Sequence, residues 1–272
     1  MESSLYQDSR DVFLDTVNTK DYIQLDRVSI IYQSLLDSIK KPLKMILLYG
    51  KPGTGKSMFL SKLHDTLKET QQIYLYNNPI LDESEFFKTI AQDLYGIEYS
   101  GELNFTQFMK VVENKELYKA IIPLILLDEA QLYSPALMEK IRLLSDTRKV
   151  KFVIALHKTE KEDLIAKEHF QTRIWQSIKL ENASIVELQT YVQKKLLKAN
   201  CFDTANMFSK KSIKLIHKLT DGNYRDTNKL IYTIFDIYAH YQENSPYKIK
   251  STREVANKFI EMSAIHTGLI NA

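Results

Sequence analysis

Cysteine, glycine, arginine and long apolar runs are all scarce in this chain of 272 residues, and each scarcity excludes something. Cys201 is the single cysteine, so neither an intrachain disulfide framework nor a cysteine zinc site can be built. A reducing, cytoplasmic setting is the natural expectation. The longest apolar run, AIIPLILL at 120–127, falls far short of the roughly 20 residues that a membrane-spanning helix needs. The opening MESSLYQDSRDVF is polar and acidic, without the apolar centre of a signal peptide. A net charge of +3 is too mild to argue for nucleic-acid binding by itself. Hydrophobic residues at 44% and charged residues at 26% are the ordinary balance of a globular chain. The length suits one large domain, or a core with a small lid.

Only seven glycines occur, and three of them fall within LLYGKPGTGKSMFL at 47–60. The segment GKPGTGKS at 50–57 fits G-x-x-x-x-G-K-[ST], the pattern of a phosphate-binding loop. Glycine lets backbone wrap a phosphate without Cβ clashes and turns several N–H groups inward. Gly50, Lys51, Pro52, Gly53, Thr54, Gly55, Lys56, Ser57 and Met58 are the expected nucleotide-binding set. In it Lys56 reaches the β- and γ-phosphates, and Ser57 ligates Mg²⁺ while opening a helix whose N-terminus favours anions. ATP is expected over GTP, because no N-K-x-D segment is placed after a strand to read guanine, and TNKL at 227–230 lies in a helical stretch.

The loop sits where alternating periodicities require it. MILLY (45–49), IYLYN (73–77), LILLD (124–128), VKFVIALH (150–157) and SIKLE (177–181) read as short buried strands. Between them lie helical patterns from Lys56 to about Lys68, over two stretches in 82–118, over 135–146 and over 160–173. Met58, Leu60, Leu63 and Leu67 are the expected core face of the first. An amphipathic helix around Val28, Ile31, Leu35, Leu36 and Ile39 precedes the first strand and is ended by Pro42. Beyond 181 the pattern turns to four helices, at 184–200, 209–220, 226–241 and 252–264. The expectation is a three-layer α/β core with a parallel sheet, followed by a small all-helical lid. The boundaries drawn are a lead and helix at 1–44, a nucleotide-binding core at 45–181 and a lid at 182–272. The Phe-rich stretches FFKTIAQDLYGI and NFTQFMKVVE are read as core helices covering the sheet, with partner docking as the alternative.

Hydrolysis needs more than a binding loop. LILLDEAQ (124–131) is an apolar strand ending in two carboxylates, of which Asp128 suits Mg²⁺ and Glu129 suits a water that attacks phosphorus. The next strand ends in His157, a polar tip placed to sense a γ-phosphate. Two of the seven arginines stand where a γ-phosphate would need them. Arg173 in FQTRIW precedes the last strand, as an arginine finger toward a neighbouring subunit's nucleotide would. Arg225 in DGNYRDTNKL begins a lid helix.

Phosphate loop, DEAQ, sensor strand, pre-strand arginine and lid arginine in this order resemble an AAA+ ATPase. Within that superfamily DEAQLYSPALMEKIRLLSD is similar to the general secretion pathway protein A (ExeA/GspA) and MshM group, as are DGNYRDTNKL, FQTRI and the lead KDYIQLDRVSIIYQSLLDSIKKPLKMILLYG. The resemblance covers roughly 10–240. It implies ATP with Mg²⁺, Asp128 and Glu129 as a Walker B pair, His157 as sensor 1, Arg173 as finger, Arg225 as sensor 2, and a nucleotide-dependent homo-oligomeric ring. Three departures stand out: ALHKTE replaces a usual G-Q-P-E-L, Tyr224 replaces a proline, and the sequence ends after the lid. Many secretion members continue there into a transmembrane segment and a peptidoglycan-binding domain. The expected role is therefore energy coupling for a secretion, pilus or DNA-uptake assembly, cytoplasmic, with any inner-membrane attachment through a protein partner. The competing expectation is an ATP-dependent DNA-binding regulator, like the transposition target selectors TniB and MuB. Residues 181–272 carry 13 basic against 9 acidic residues, with KKLLK and SKKSIK among them. A scaffold that binds nucleotide with little turnover is the third reading, against which an intact Glu129 and Arg173 speak.

Overall fold

The computed structural model of the chain describes residues 5–114, 122–157, 174–249 and 254–270. In chain order the elements are α1 (Leu5–Asp11), α2 (Asp26–Lys40), β1 (Met45–Gly50), α3 (Lys56–Leu67), β2 (Ile73–Tyr76), α4 (Glu83–Tyr95) and α5 (Phe105–Asn114). Then come β3 (Leu124–Leu127), α6 (Pro135–Asp146), β4 (Lys151–His157), β5 (Ile174–Lys179) and α7 (Ile185–Lys198). The chain closes with α8 (Phe202–Ala205), α9 (Lys210–Thr220), α10 (Tyr224–Asn244) and α11 (Asn257–His266). It divides into two compact units, one of Ile30–Pro52 and Lys56–Leu180, the other of Met1–Ser29, Gly53–Gly55 and Glu181–Ala272.

The first unit is built on a parallel sheet, in which the described strands stand in the order β2-β3-β4-β1-β5. Every residue of Leu124–Leu127 and of Phe152–Ala155 is fully buried, because helices cover both faces. That explains continuous apolar runs where a half-exposed strand would alternate. α4 starts at Asp82, whose side chain accepts from Glu85 N at 2.9 Å, and stops at Gly96 in the left-handed region (φ 64°). α6 starts at Ser134, which accepts from Leu137 N, with Pro135 in the first turn. Phe86, Phe87 and Phe108 are fully buried, and the Phe87 ring lies 5.4 Å from Phe86 and 5.0 Å from Phe108. The Phe-rich helices are therefore core.

Local boundaries differ from the sequence pattern in several places. On α3 the buried stripe is Phe59, Leu60 and Leu63, while Met58 and Leu67 are only half-buried. β5 begins at Ile174, three residues ahead of the expected start, and the last helix begins at Asn257, not 252. The helical stretch 160–173 and the end of the stretch 82–118 lie outside the described residues.

The second unit is helical, and it includes a part of the chain the sequence pattern did not attach to it. Phe13, from the lead, is buried in one core with Ile231, Ile234, Phe235, Tyr238 and Phe259. Helix α7 holds the lead further. Lys194 Nζ donates to Gln24 O at 2.9 Å, Lys198 Nζ donates to Tyr22 O at 3.1 Å, and Lys195 Nζ lies 5.1 Å over the Phe13 ring. All three lysines of KKLLK thus face the lead. α7 itself opens with a capping box, Ser184 accepting from Glu187 N while Glu187 accepts from Ser184 N.

Lys195 is buried, and desolvation lowers its pKa to about 8 against the opposing pull of Asp21 and Asp15. Between that value and the ordinary lysine value the unfolded chain binds a proton that the fold does not, so this group adds stability as pH rises. Two predictions follow from these contacts. The stability difference between wild type and Lys195→Met should shift by about 2 kcal/mol toward wild type from pH 7 to 9.5, measured by urea unfolding. A pH-independent difference would contradict a buried ammonium. Phe13→Ala should cost about 3–5 kcal/mol in the same assay, where a detached lead would cost nothing.

Candidate nucleotide site

β1 ends at Gly50 and α3 starts at Lys56, so the phosphate-loop pattern lies between strand and helix. Gly53 (φ 77°) and Gly55 (φ 91°) both hold the left-handed conformation, which turns backbone N–H groups into an anion-binding concavity. A Cβ on Gly55 would meet nothing within 4 Å, so its requirement is conformational and the space beside it is open. Gly53 is confined on both counts. A Cβ there would fall 2.2 Å from Asn223 Oδ1, the atom that caps α10 by accepting from Arg225 N and Asp226 N. Lys56 is buried, and its Nζ donates to Gly50 O and Lys51 O, both at 2.9 Å. Thr54 is buried, Ser57 and Met58 are half-buried, and Lys51 and Pro52 are exposed.

β3 delivers the carboxylates. Asp128 is buried; its N–H donates to Tyr76 O at 3.1 Å and its Oδ1 accepts from Glu129 N at 2.9 Å. Glu129 adopts the left-handed conformation (φ 50°, ψ 37°), which costs a residue with a Cβ about 1–2 kcal/mol and redirects the chain off the sheet. Its Oε1 lies 3.3 Å from His157 Nε2, and its Oε2 accepts from Gln131 Nε2. Gln131 Oε1 in turn accepts from His157 N at 3.1 Å. His157 is paired in register with Gly50, and Ile154 with both Leu47 and Leu127. The strand order therefore brings Gly50, Glu129, Gln131 and His157 to one edge of the sheet.

Arg225 Nε pairs with Asp15 Oδ2 at 3.1 Å, both side chains largely exposed, and Arg225 N donates to Gly53 O at 3.4 Å. Arg173 lies outside the described residues. Gln131 was missed as a site residue, although its position two places after Glu129 in DEAQ was the available signal.

The donors fit an anionic polyphosphate with a hard divalent cation. A buried lysine, a hydroxyl and one buried carboxylate leave room for phosphate oxygens and water, which is how Mg²⁺ is ordinarily held. Among the described residues no cluster of three or more His, Cys, Asp or Glu side chains is arranged to hold a metal alone. No helix among them is long and apolar enough to cross a membrane.

A parallel sheet in this order, a phosphate loop between its interior strand β1 and the helix α3, and a helical C-terminal region together make the α/β P-loop fold of the AAA+ class. Residues 40–165 match the family described as the AAA domain. Among solved structures, Cdc6p from Pyrobaculum aerophilum is similar with a TM-score of 0.64 and 18% identity, over 96% of this chain and 71% of that one. Aeropyrum pernix Orc1, determined in complex with DNA, gives 0.63 and 15%, over 95% and 69%. The RuvB Holliday junction branch migration motor of Thermotoga maritima gives 0.57 and 16%, over 94% and 73%. No curated protein matches the sequence.

Gly55→Ala should lower stability by about 1–2 kcal/mol, the cost of a left-handed residue with a Cβ. Gly53→Ala should cost more, because the Asn223 contact adds to it. Chemical unfolding of the two variants side by side checks this, and equal losses would contradict the close approach of Asn223.

Proposed function

We propose that this chain binds ATP with Mg²⁺ and hydrolyses it to ADP and phosphate. The observation that carries this reading is the convergence of Gly50, Glu129 and His157 at one sheet edge, with the buried Asp128 beside Glu129. In this reading the backbone of 50–57 and Lys56 bind the phosphates, and α3 turns its positive end toward them. Ser57 and Asp128 hold Mg²⁺, which supplies neutralisation of phosphate charge. Glu129 orients and polarises the attacking water, and the His157 ring, 3.3 Å from that carboxylate, senses the γ-phosphate from the tip of β4. Arg173 acts as a finger on a neighbouring subunit's nucleotide and Arg225 acts on its own, which makes the active form a homo-oligomeric ring. The work served is that of a cytoplasmic energy-coupling ATPase for a secretion, pilus or DNA-uptake assembly, reaching the membrane through a partner. The similarity of DEAQLYSPALMEKIRLLSD to that group supports it.

A second reading, an ATP-dependent DNA-binding regulator, draws on α9. Lys210, Lys211, Lys214 and Lys218 lie on one exposed face of that helix, opposite the buried Ile213, Ile216 and Thr220, without an ion-pair partner among the described residues. The lysines of SKKSIK thus differ from those of KKLLK, where Lys194 and Lys198 donate to backbone oxygens of the lead and Lys195 is buried. Orc1, with a similar fold, was determined in complex with DNA.

Steady-state hydrolysis against protein concentration, with and without duplex DNA, separates these readings. Glu129→Gln should lose at least about 100-fold in kcat while keeping ATP affinity, and Arg173→Ala should lose the rise of specific activity with concentration. Wild type that binds ATP but turns over no faster than Glu129→Gln would end the enzyme reading. If duplex DNA binds, changing Lys211, Lys214 and Lys218 together to Ala should reduce the slope of log K against log salt by about 2–3. An unchanged slope would remove α9 from the interface.

A further inference from the structure

We propose that Gln131 is the positioning residue that ties the Glu129 carboxylate to the end of β4. This rests on the reading of Glu129 as the residue that polarises the attacking water. β3 stops at Leu127, paired with Ile154, whereas β4 runs three residues further to His157. Beyond Leu127 the chain turns off the sheet at the left-handed Glu129 and enters the short 3-10 turn Ala130–Leu132. The His157 N–H therefore extends past the end of its neighbour, and Gln131 Oε1 accepts it at 3.1 Å in place of a strand carbonyl.

That bond sets the orientation of the carboxamide. A backbone N–H can only donate, so the oxygen must face His157 and the NH₂ must face the other way. There it donates to Glu129 Oε2, while His157 Nε2 stands 3.3 Å from Oε1. Both carboxylate oxygens are thus addressed from β4, one by the His157 ring and one through Gln131. The task needs an acceptor and a donor on one rigid planar group, which the Gln carboxamide provides with its oxygen and nitrogen on the same carbon. A hydroxyl is too short to bridge the two partners, and a carboxylate at 131 could accept from His157 N but would repel Glu129. Gln131 makes the position of the base follow the position of the sensor strand.

The test uses the full chain as wild type, Gln131→Ala, Gln131→Glu and Glu129→Gln. Each is measured for ATP turnover, for affinity toward a non-hydrolysable ATP analogue, and for hydrogen exchange of the His157 amide in nucleotide-free protein by NMR. Gln131→Ala should lower kcat by about 10- to 100-fold with affinity little changed, as for a misplaced catalytic group, and should speed His157 exchange. Gln131→Glu should keep the amide protected, because an acceptor remains, yet lose at least as much kcat, because the donor is gone. Unchanged exchange of Ala155 and Leu156 certifies that each variant is folded. Turnover at or above the wild-type rate in either Gln131 variant overturns the proposal, and so does wild-type exchange of His157 in Gln131→Ala. Full turnover in Glu129→Gln would instead sink the assignment of the base on which the proposal rests.

Discussion

The parallel pairing of β4 between β1 and β3 is the constraint on which the candidate site depends. It matches Gly50 with His157 and Leu127 with Ile154, so three chain segments end at related heights on one edge of the sheet. Each brings a different chemistry: a glycine-rich turn, a carboxylate pair and an imidazole. Strand spacing near 4.8 Å then places these groups within reach of one small polyanion. A slip of one residue in either register would send each terminal side chain to the opposite face and scatter the set.

At that edge the backbone leaves regular structure in three places. Gly53 and Gly55 are left-handed, where glycine is unstrained, and Glu129 is left-handed despite its side chain. The strain at Glu129 is local and coincides with a carboxylate bonded to Gln131 and close to His157, so bonds from β4 and its neighbouring turn help hold an unfavourable conformation. Side-chain bonds here continue the sheet's hydrogen bonding past the last residue of β3.

The helical unit follows a different economy. Its core recruits Phe13 from the far end of the chain and surrounds the Lys195 ammonium with the rings of Phe13 and Tyr191 and the Asn228 carboxamide. A buried cation with so few polar partners is tolerated because aromatic faces supply some of the lost solvation. Basic residues that look equivalent in the sequence are thereby separated into those of α7, which bond or pack against the lead, and those of α9, which carry no ion pair among the described residues.

The strands, the phosphate loop and the order of the core helices were legible because period, punctuation and composition act over a few residues. Three glycines before Lys56, an apolar run closing on Asp128 and Glu129, and another closing on His157 are local facts, and so are the caps at Asp82, Ser134 and Ser184. Other features depend on residues far apart in sequence. The seat of Phe13 in the helical core is one, the seat of Phe59 on the buried side of α3 is another, and the carboxamide of Gln131 serving two strands is a third. Covalent neighbours can declare which residues are suited to bind phosphate. Only the register between strands decides that Glu129, Gln131 and His157 meet, because that distance is set by backbone pairing across the sheet and by nothing along the chain.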